Sequence, residues 1–392
     1  MDKLELTKPR IQSIDLLRGV VMVIMALDHS RDFFHFGGFA EEATDLATTT
    51  PVLFFTRWIT HFCAPVFIFL SGASIYLMRS ESVKEKSLFV FKRGLWLIFL
   101  SLTVVAFAWW FDPSFHYLAL DVIWVIGLCM ILFAAIMFLP FRAILAFGLI
   151  SVAFHNTLDM IYFENGTVPT LLWDLFHREG LVEISSYFSI FIVYPLMPWI
   201  GVMSLGYCLG NVFQDDRSPE QRRRILLIIG ISCILLFGLL RSFNGYGDPE
   251  RWSQYSPTLF SLMSFINTTK YPPSLLYLLM TLGPSLIFLA LTEGISGKIA
   301  RFFIVFGRVP LFFYLVHLYL LHTAALIATL FLFSWSETTK ALNTMPDFPP
   351  GYGFGLPVVY AAWIATVLIL YPLCSRYNNF KSKHQYWWLS YV

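Results

Sequence analysis

Charged residues are scarce in this sequence. Lys, Arg, Asp and Glu together account for 13% of its 392 residues, whereas a soluble domain carries roughly 25%. Hydrophobic residues make up 57%, and the mean hydropathy is +0.67. This composition excludes a soluble globular protein, and the short alternating segments of a membrane β-barrel are not visible. The sequence therefore predicts an all-α, polytopic integral membrane protein.

The sequence also lacks the motifs of several enzyme classes. Its five cysteines are scattered through apolar runs, without metal-ligand spacing or a disulfide framework. There is no His-Glu-x-x-His segment, no phosphate-binding loop, no dinucleotide fingerprint and no serine nucleophile elbow. The net charge is only +2, and the basic residues fall in loops and termini. We therefore predict no metal and no nucleic-acid partner, and the lipid bilayer is the partner that the composition implies.

Apolar runs long enough for a bilayer recur along the whole chain. A membrane-crossing helix needs about 20 predominantly apolar residues, and a scan for such runs predicts about ten spans. The sixth span contains Pro195 and Pro198, which should kink or break its helix. The approximate limits of the ten spans are 14–36, 57–79, 88–111, 117–139, 142–161, 184–211, 224–243, 273–292, 309–334 and 356–375.

The basic residues indicate the orientation of these spans. With ten spans, the connections after the second, sixth and eighth share one side with both termini, and these segments hold clusters of lysine and arginine. The positive-inside rule makes that side, and so both termini, cytoplasmic. The opposite loops are longer and richer in acids, aromatic residues, Gly and Pro. No internal repeat or soluble domain is evident, so residues 1–392 are predicted to form one integral-membrane domain.

The first span carries ionisable residues at two depths. The segment "RGVVMVIMALDHSRDFF" begins with Arg18, and its apolar run ends at Asp28 and His29. At about 1.5 Å per residue, His29 lies roughly 16 Å beyond Arg18, past the midplane and on the same helix face. Charged groups at such depth are costly and usually functional, so we predict that His29 is catalytic and that Asp32 orients it better than Asp28. Arg18 is expected to pair with Asp15, and snorkelling to the cytoplasmic interface is the plainer alternative.

Two further spans carry polar residues that are expected to form a supporting layer. Arg57 and His61 are spaced i, i+4 on the second span, so they should share a helix face. His317 and His322 lie on the ninth span, and their five-residue spacing places them on different faces. His322 falls at nearly the depth of His29. A hydrogen bond between helices is the plainer alternative for these histidines.

Five segments of the chain together resemble a known family of membrane acyltransferases. The segments are similar to those of bacterial relatives of heparan-α-glucosaminide N-acetyltransferase, and the resemblance extends over essentially the whole chain. The ten residues between Arg18 and His29 also resemble the first-helix Arg/His signature of acyltransferase-3-like membrane acyltransferases. The five segments, in chain order, are "MALDHSRDFF", "FFTRWITHFCAPVFIFLSGAS", "YPLMPWIGVMSLGYCLG", "TTKYPPSLLYLLMTLGP" and "GRVPLFFYLVHLYLLH".

The resemblance implies an enzyme of the bacterial inner membrane. Such an enzyme transfers an acetyl group from cytoplasmic acetyl-CoA, or another acyl group from its CoA ester, to an amine or hydroxyl of a sugar or glycan on the far side. The resemblance assigns the catalytic histidine to His29 and the signature arginine to Arg18. The lysosomal members carry Asn at the position of His29 and an essential histidine in the first outer loop, where His35 is the nearest candidate. An imidazole titrates near neutral pH and suits deprotonation of the acceptor, and a covalent acetyl-histidine is the open alternative.

Four residues are candidates for binding the two substrates. Arg308, at the cytoplasmic start of the ninth span, is expected to meet the phosphates of acetyl-CoA together with the signature arginine. Lys270 precedes a rigid Tyr-Pro-Pro segment at the outer face and is expected to bind the acceptor. An exposed interfacial lysine is the plainer alternative there. Arg31 and His35, at the outer end of the first span, complete this set.

Two other functions compete with an acyltransferase. A secondary transporter or exporter of a small polar solute also has broken helices and ionisable residues at membrane depth, but the missing inverted repeat counts against it. A non-catalytic membrane scaffold is the third alternative. The oligomeric state is open, with a homodimer among the alternatives.

Overall fold

Helices make up most of the protein. The computed structural model describes residues 11–39, 42–80, 82–163, 168–214, 216–341 and 348–391. The helices are α1 (Gln12–Phe34), α2 (Pro51–Trp58), α3 (Cys63–Leu77), α4 (Val83–Leu100), α5 (Ala106–Trp110), α6 (Val122–Ile136), α7 (Phe141–Phe154), α8 (Val168–Phe176), α9 (Trp199–Gly210), α10 (Pro219–Phe243), α11 (Thr258–Ile266), α12 (Leu275–Thr292), α13 (Lys298–Arg308), α14 (Pro310–Leu332), α15 (Trp335–Ala341) and α16 (Leu356–Lys383).

Within the described residues, seven helices are long and apolar enough to cross a membrane, judged by length and composition. The prediction of an all-α, polytopic membrane protein is therefore confirmed. α1 spans 23 residues but carries more charge, and α6 and α9 are shorter apolar helices; these three correspond to the remaining predicted spans. The seven are Pro51–Leu77, Val83–Trp110, Phe141–Leu158, Pro219–Phe243, Leu275–Thr292, Pro310–Leu332 and Leu356–Lys383.

A small three-stranded sheet accompanies the helices. Its strands are β1 (Tyr117–Leu120), β2 (Gly180–Ser185) and β3 (Phe188–Ile192), and β3 lies in the middle. β3 runs parallel to β1 and antiparallel to β2, with Ile190 opposite both Leu118 and Val182. Because β1 and β3 lead towards α6 and α9, the sheet aligns the starts of these two helices.

The sheet corrects two of the predicted spans. The runs 117–139 and 184–211 are predicted to be helical from their first residue, but each begins with a strand, and the helix starts only at Val122 and at Trp199. Hydrophobic periodicity cannot distinguish a short apolar strand from a buried helix. The predicted break at the two prolines is real, since α9 begins directly after Pro198.

α1 occupies the centre of the bundle. Most of its residues are buried, and it packs against α3, α12, α13, α14 and α16. Helices α1 and α13 approach so closely that their backbone atoms are in contact. A Cβ atom added to Gly19 would lie 1.9 Å from the carbonyl oxygen of Phe303, and one added to Gly307 would lie 1.9 Å from that of Asp15. Only glycine permits this contact.

We expect Gly19→Ala to destabilise the protein by about 3 kcal/mol or more, because the added methyl group forces α1 and α13 apart. The measurement is the thermal unfolding midpoint of the detergent-solubilised protein. Gly238→Ala on α10 is the matched control, since a Cβ there meets nothing within 4 Å. That control should be neutral or stabilising by up to about 1 kcal/mol, from helix propensity alone. Equal midpoints for the two variants would contradict the close contact.

Candidate functional site

His29 meets a second histidine in the C-terminal half of α1. Its Nδ1 atom lies 2.6 Å from Nε2 of His317 on α14, and the two rings are stacked with centroids 4.9 Å apart. Helix α14 runs in the same direction as α1, because Arg308 lies beside Asp15 and His317 beside His29. The histidine predicted to be catalytic and one of the five residues of the predicted supporting layer (Asp15, Arg57, His61, His317 and His322) are thus in direct contact.

The hydrogen bonds define the tautomer of each ring. Nδ1 of His317 lies 3.0 Å from the backbone carbonyl oxygen of Phe313, so this nitrogen must carry the proton. Nε2 of a neutral His317 is then an acceptor, and Nδ1–H of His29 donates to it. The lone pair of His29 is left on Nε2, since among the described residues the one side-chain hydrogen bond of His29 is that to His317. His29 is half-buried.

Aromatic side chains surround the His29 ring. Trp109 on α5 meets it edge-on with centroids 4.8 Å apart, and Tyr314 on α14 meets it edge-on at 6.2 Å. Phe33, one turn further along α1, stacks on Trp109 at 5.6 Å. The walls near His29 are therefore apolar and aromatic, a surface on which sugar rings and apolar groups pack well.

The aspartates near His29 pair with arginines instead. The carboxylate of Asp28 accepts a hydrogen bond from Arg57 and lies 3.6 Å from Nε of Arg31. Asp32 accepts from Arg31 at 2.5 Å. In the part of the chain that the structure describes, neither carboxylate bonds to His29. The expectation that Asp32 orients His29 is therefore wrong, because two adjacent guanidinium groups compete for the carboxylates.

The remaining predicted histidines lie apart from the pair. His61 is buried with its ring 5.4 Å from that of Tyr277. Residues 59–62 form a 3₁₀ turn, whose three-residue period removes His61 from the face of Arg57. His322 donates from Nδ1 to the carbonyl oxygen of Ala108 at 2.9 Å, so it holds α5 rather than touching His29.

A second polar cluster lies at the opposite end of α1. Arg18 donates to Asp15 at 3.3 Å, which confirms the predicted pair, and also to the Gly307 carbonyl at 3.2 Å and to Ser74 at 3.0 Å. Arg308 approaches the other oxygen of Asp15 at 3.6 Å. Among the described residues, two guanidinium groups therefore contact this carboxylate, an arrangement that suits an anionic ligand.

The segment that carries Lys270 is held in place by hydrogen bonds to Asp248. Lys270 is half-buried, with its ammonium 5.0 Å from the centroid of the Tyr271 ring. The carboxylate of Asp248 accepts from the backbone N–H and hydroxyl of Thr269 and from the hydroxyl of Ser274. His35 caps the C-terminus of α1, and its backbone bridges to Phe354 rather than joining the histidine pair.

Glu179 and Asp112 are among the acidic side chains outside the spans whose pKa values are shifted. Burial, and then the nearby Glu42, raise the pKa of Glu179 to about 7. Burial opposes ionisation of Asp112, but hydrogen bonds from His116 and Ser114 outweigh it and lower the pKa of that carboxyl. Both groups lie in connections between elements and not on the helices that carry the histidine pair.

Sequence reasoning missed three residues near the pair, namely Trp109, Tyr314 and Asp121. A signal existed for two of them. Tyr314 lies three residues before His317 and so on its face of α14, and Asp121 precedes an apolar run as a helix N-cap does. Within the described residues, no group of three or more His, Cys, Asp or Glu side chains could hold a metal ion.

Comparison with known proteins identifies the family. No protein of curated function matches the chain. The model of the family described as heparan-alpha-glucosaminide N-acetyltransferase, catalytic, matches residues 10–238, more than half of the chain. The match contains His29, Arg18 and Arg57, whereas α12 and α14, with the last two of the five resembling segments, lie beyond it. The chain therefore belongs to the heparan-alpha-glucosaminide N-acetyltransferase catalytic family of membrane acetyltransferases.

Proposed function

We propose that this membrane acetyltransferase transfers an acetyl group from cytoplasmic acetyl-CoA to an amine or hydroxyl of a sugar or glycan on the extracytoplasmic side, with His29 as the general base. The observation that carries the proposal is the unshared lone pair on Nε2 of His29. It results from the chain of hydrogen bonds that runs from His29 through His317 to the carbonyl oxygen of Phe313. A base for an acceptor N–H or O–H needs such an atom.

One base is sufficient for the proton transfers of this reaction. Nε2 of His29 takes the proton of the acceptor amine or hydroxyl as its nitrogen or oxygen attacks the thioester carbonyl. The new bond to the acetyl carbon forms, the C–S bond breaks, and the CoA thiolate receives the proton from the imidazolium. His317 stabilises the imidazolium, because its Nε2 accepts from Nδ1–H of His29. In the covalent alternative, Nε2 itself attacks and carries the acetyl group.

The polar cluster at the other end of α1 suits the acyl donor. Arg18 and Arg308 both contact Asp15, and their guanidinium groups would hold phosphate groups of CoA. The cluster and the histidine pair are separated by about 16 Å of helix. Positive residues on the connections at the Arg18 end make it the cytoplasmic end, so the donor and the acceptor would approach along the same helix from opposite sides.

The test is an acetylation assay on purified protein. The detergent-solubilised enzyme is incubated with acetyl-labelled acetyl-CoA and a panel of amino sugars and glycans, and products are identified by mass spectrometry. We expect labelled N- or O-acetyl product on at least one acceptor. Uptake of a solute into proteoliposomes without acyl transfer would instead support the transporter alternative. After brief incubation without acceptor, an acetylated His29 peptide would support the covalent route.

A further inference from the structure

A carboxylate that the proposed reaction does not use is buried beside the site. Asp121 is 8% exposed and precedes α6. One of its oxygens accepts from the hydroxyl of Ser101 at 2.7 Å and from the backbone N–H groups of Ile123 and Trp124. The other oxygen accepts from the hydroxyl of Tyr314 at 2.7 Å. Burial of a charge in a membrane protein is costly, so these four donors call for an explanation beyond capping α6.

Tyr314 connects Asp121 to the histidine pair. Its ring lies 6.2 Å from that of His29 and 5.6 Å from that of His317. Trp109 is the other aromatic residue at His29, with its ring centroid 4.8 Å from that of the imidazole. Asp121 therefore touches neither histidine, but it fixes the position of a ring that touches both.

The same carboxylate holds the segment that leads to Trp109. Residues Ser101–Val105 form a π-helical turn between α4 and α5, and such turns are rare and occur frequently at functional sites. Ser101, the first residue of this turn, donates to Asp121. One buried group thus contacts both Tyr314 and the π-helical turn that leads to Trp109, and the rings of these two residues both meet His29 edge-on.

We propose that Asp121 is a positioning residue for acetyl transfer, acting through Tyr314 and the π-helical turn to hold the aromatic walls that align His29 and the acceptor. This inference rests on the proposed function. The walls do not reach the Arg18 cluster, so binding of the acyl donor should not depend on Asp121.

The chain offers a matched control. Tyr319, also on α14, donates from its hydroxyl to the carbonyl oxygen of Val104 at 2.9 Å. This hydrogen bond connects α14 to the same π-helical turn, and the Tyr319 ring packs on Phe107 and Phe111. If Tyr314 served only to connect α14 to the π-helical turn, then loss of the Tyr314 hydroxyl and loss of the Tyr319 hydroxyl should lower activity equally.

The test compares Tyr314→Phe, Asp121→Ser, their combination and Tyr319→Phe in the acetylation assay. Serine keeps an N-cap for α6 but does not reach Tyr314.

We expect both single variants to lower kcat about tenfold to a hundredfold and to raise KM for the acceptor, with KM for acetyl-CoA unchanged. The kcat of the double variant should be no lower than that of the more affected single variant. Tyr319→Phe should stay within about twofold of the wild type. Equal losses for the two tyrosine variants, or additive losses in the double variant, would overturn the proposal.

A second readout does not need the enzymatic reaction. Diethyl pyrocarbonate modifies accessible neutral imidazoles, and mass spectrometry gives the rate for the His29 peptide. We expect this rate to rise severalfold in Tyr314→Phe and Asp121→Ser but not in Tyr319→Phe. If the wild type acetylates no acceptor, the proposed function fails, and the modification rates still test the positioning role. Unchanged rates in all variants would refute that role.

Discussion

His29→Gln should lower kcat for acetyl transfer by about 10²–10⁴-fold, the usual contribution of a positioned general base. Glutamine retains polarity and much of the side-chain volume but has no basic nitrogen. A lower kcat would therefore result from the missing proton acceptor. The measurement is the initial rate with saturating acetyl-CoA and the best acceptor of the panel. The thermal unfolding midpoint is recorded for each variant, so that misfolding is recognised separately.

The partner histidine supplies a graded control for this prediction. His317→Gln keeps an acceptor for Nδ1–H of His29, whereas His317→Leu removes it. The leucine variant should therefore lose more activity than the glutamine variant. His116→Gln, in the connection between α5 and β1, should retain full activity. A His29→Gln variant that acetylates as fast as the wild type would exclude His29 as the base and make His35 the next candidate for that role.

Breaking the Asp28–Arg57 pair should cost about 3–5 kcal/mol of stability, because the surviving charge stays buried without its partner. Both side chains are largely buried, at 11% and 16% exposed. Asp28→Leu leaves Arg57 and Arg31 facing each other with only Asp32 between them, and Arg57→Leu leaves Asp28 with the more distant Arg31. Each variant is measured by its thermal unfolding midpoint in detergent.

The double variant Asp28→Leu/Arg57→Leu should recover a large part of the loss, because neither unpaired charge remains. The control is Glu183→Gln, which neutralises a solvent-exposed charge on β2. A surface substitution of this kind changes stability by no more than about 0.5 kcal/mol. A double variant less stable than both single variants would indicate that the two charges act independently.

Several features of the site follow from local spacing and were predictable. Arg18 and Asp15 pair because residues three apart on a helix are neighbours. The separation of Arg18 from His29 along α1 follows from helical rise alone. The break before α9 follows from proline, which lacks a backbone N–H and whose ring clashes with the preceding turn.

Other features required the tertiary structure. His29 and His317 are 288 residues apart in sequence, and no local pattern distinguishes His317 from His322 as the partner. The assignment of Asp32 to His29 failed for the same reason, because Arg57 arrives from a different helix and changes which pairs form around Asp28. The strands before α6 and α9 also depend on pairing between distant segments.

By itself, the sequence determined that this is a helical membrane protein of a known acetyltransferase family, and it singled out the helix that carries its polar residues. These properties depend on composition, length and local spacing, which act within one segment. Only the tertiary structure decided which nitrogen of His29 carries a lone pair, which residues surround it, and why Asp121 is buried nearby. Those properties depend on hydrogen bonds between segments, whose partners are determined by how the helices pack.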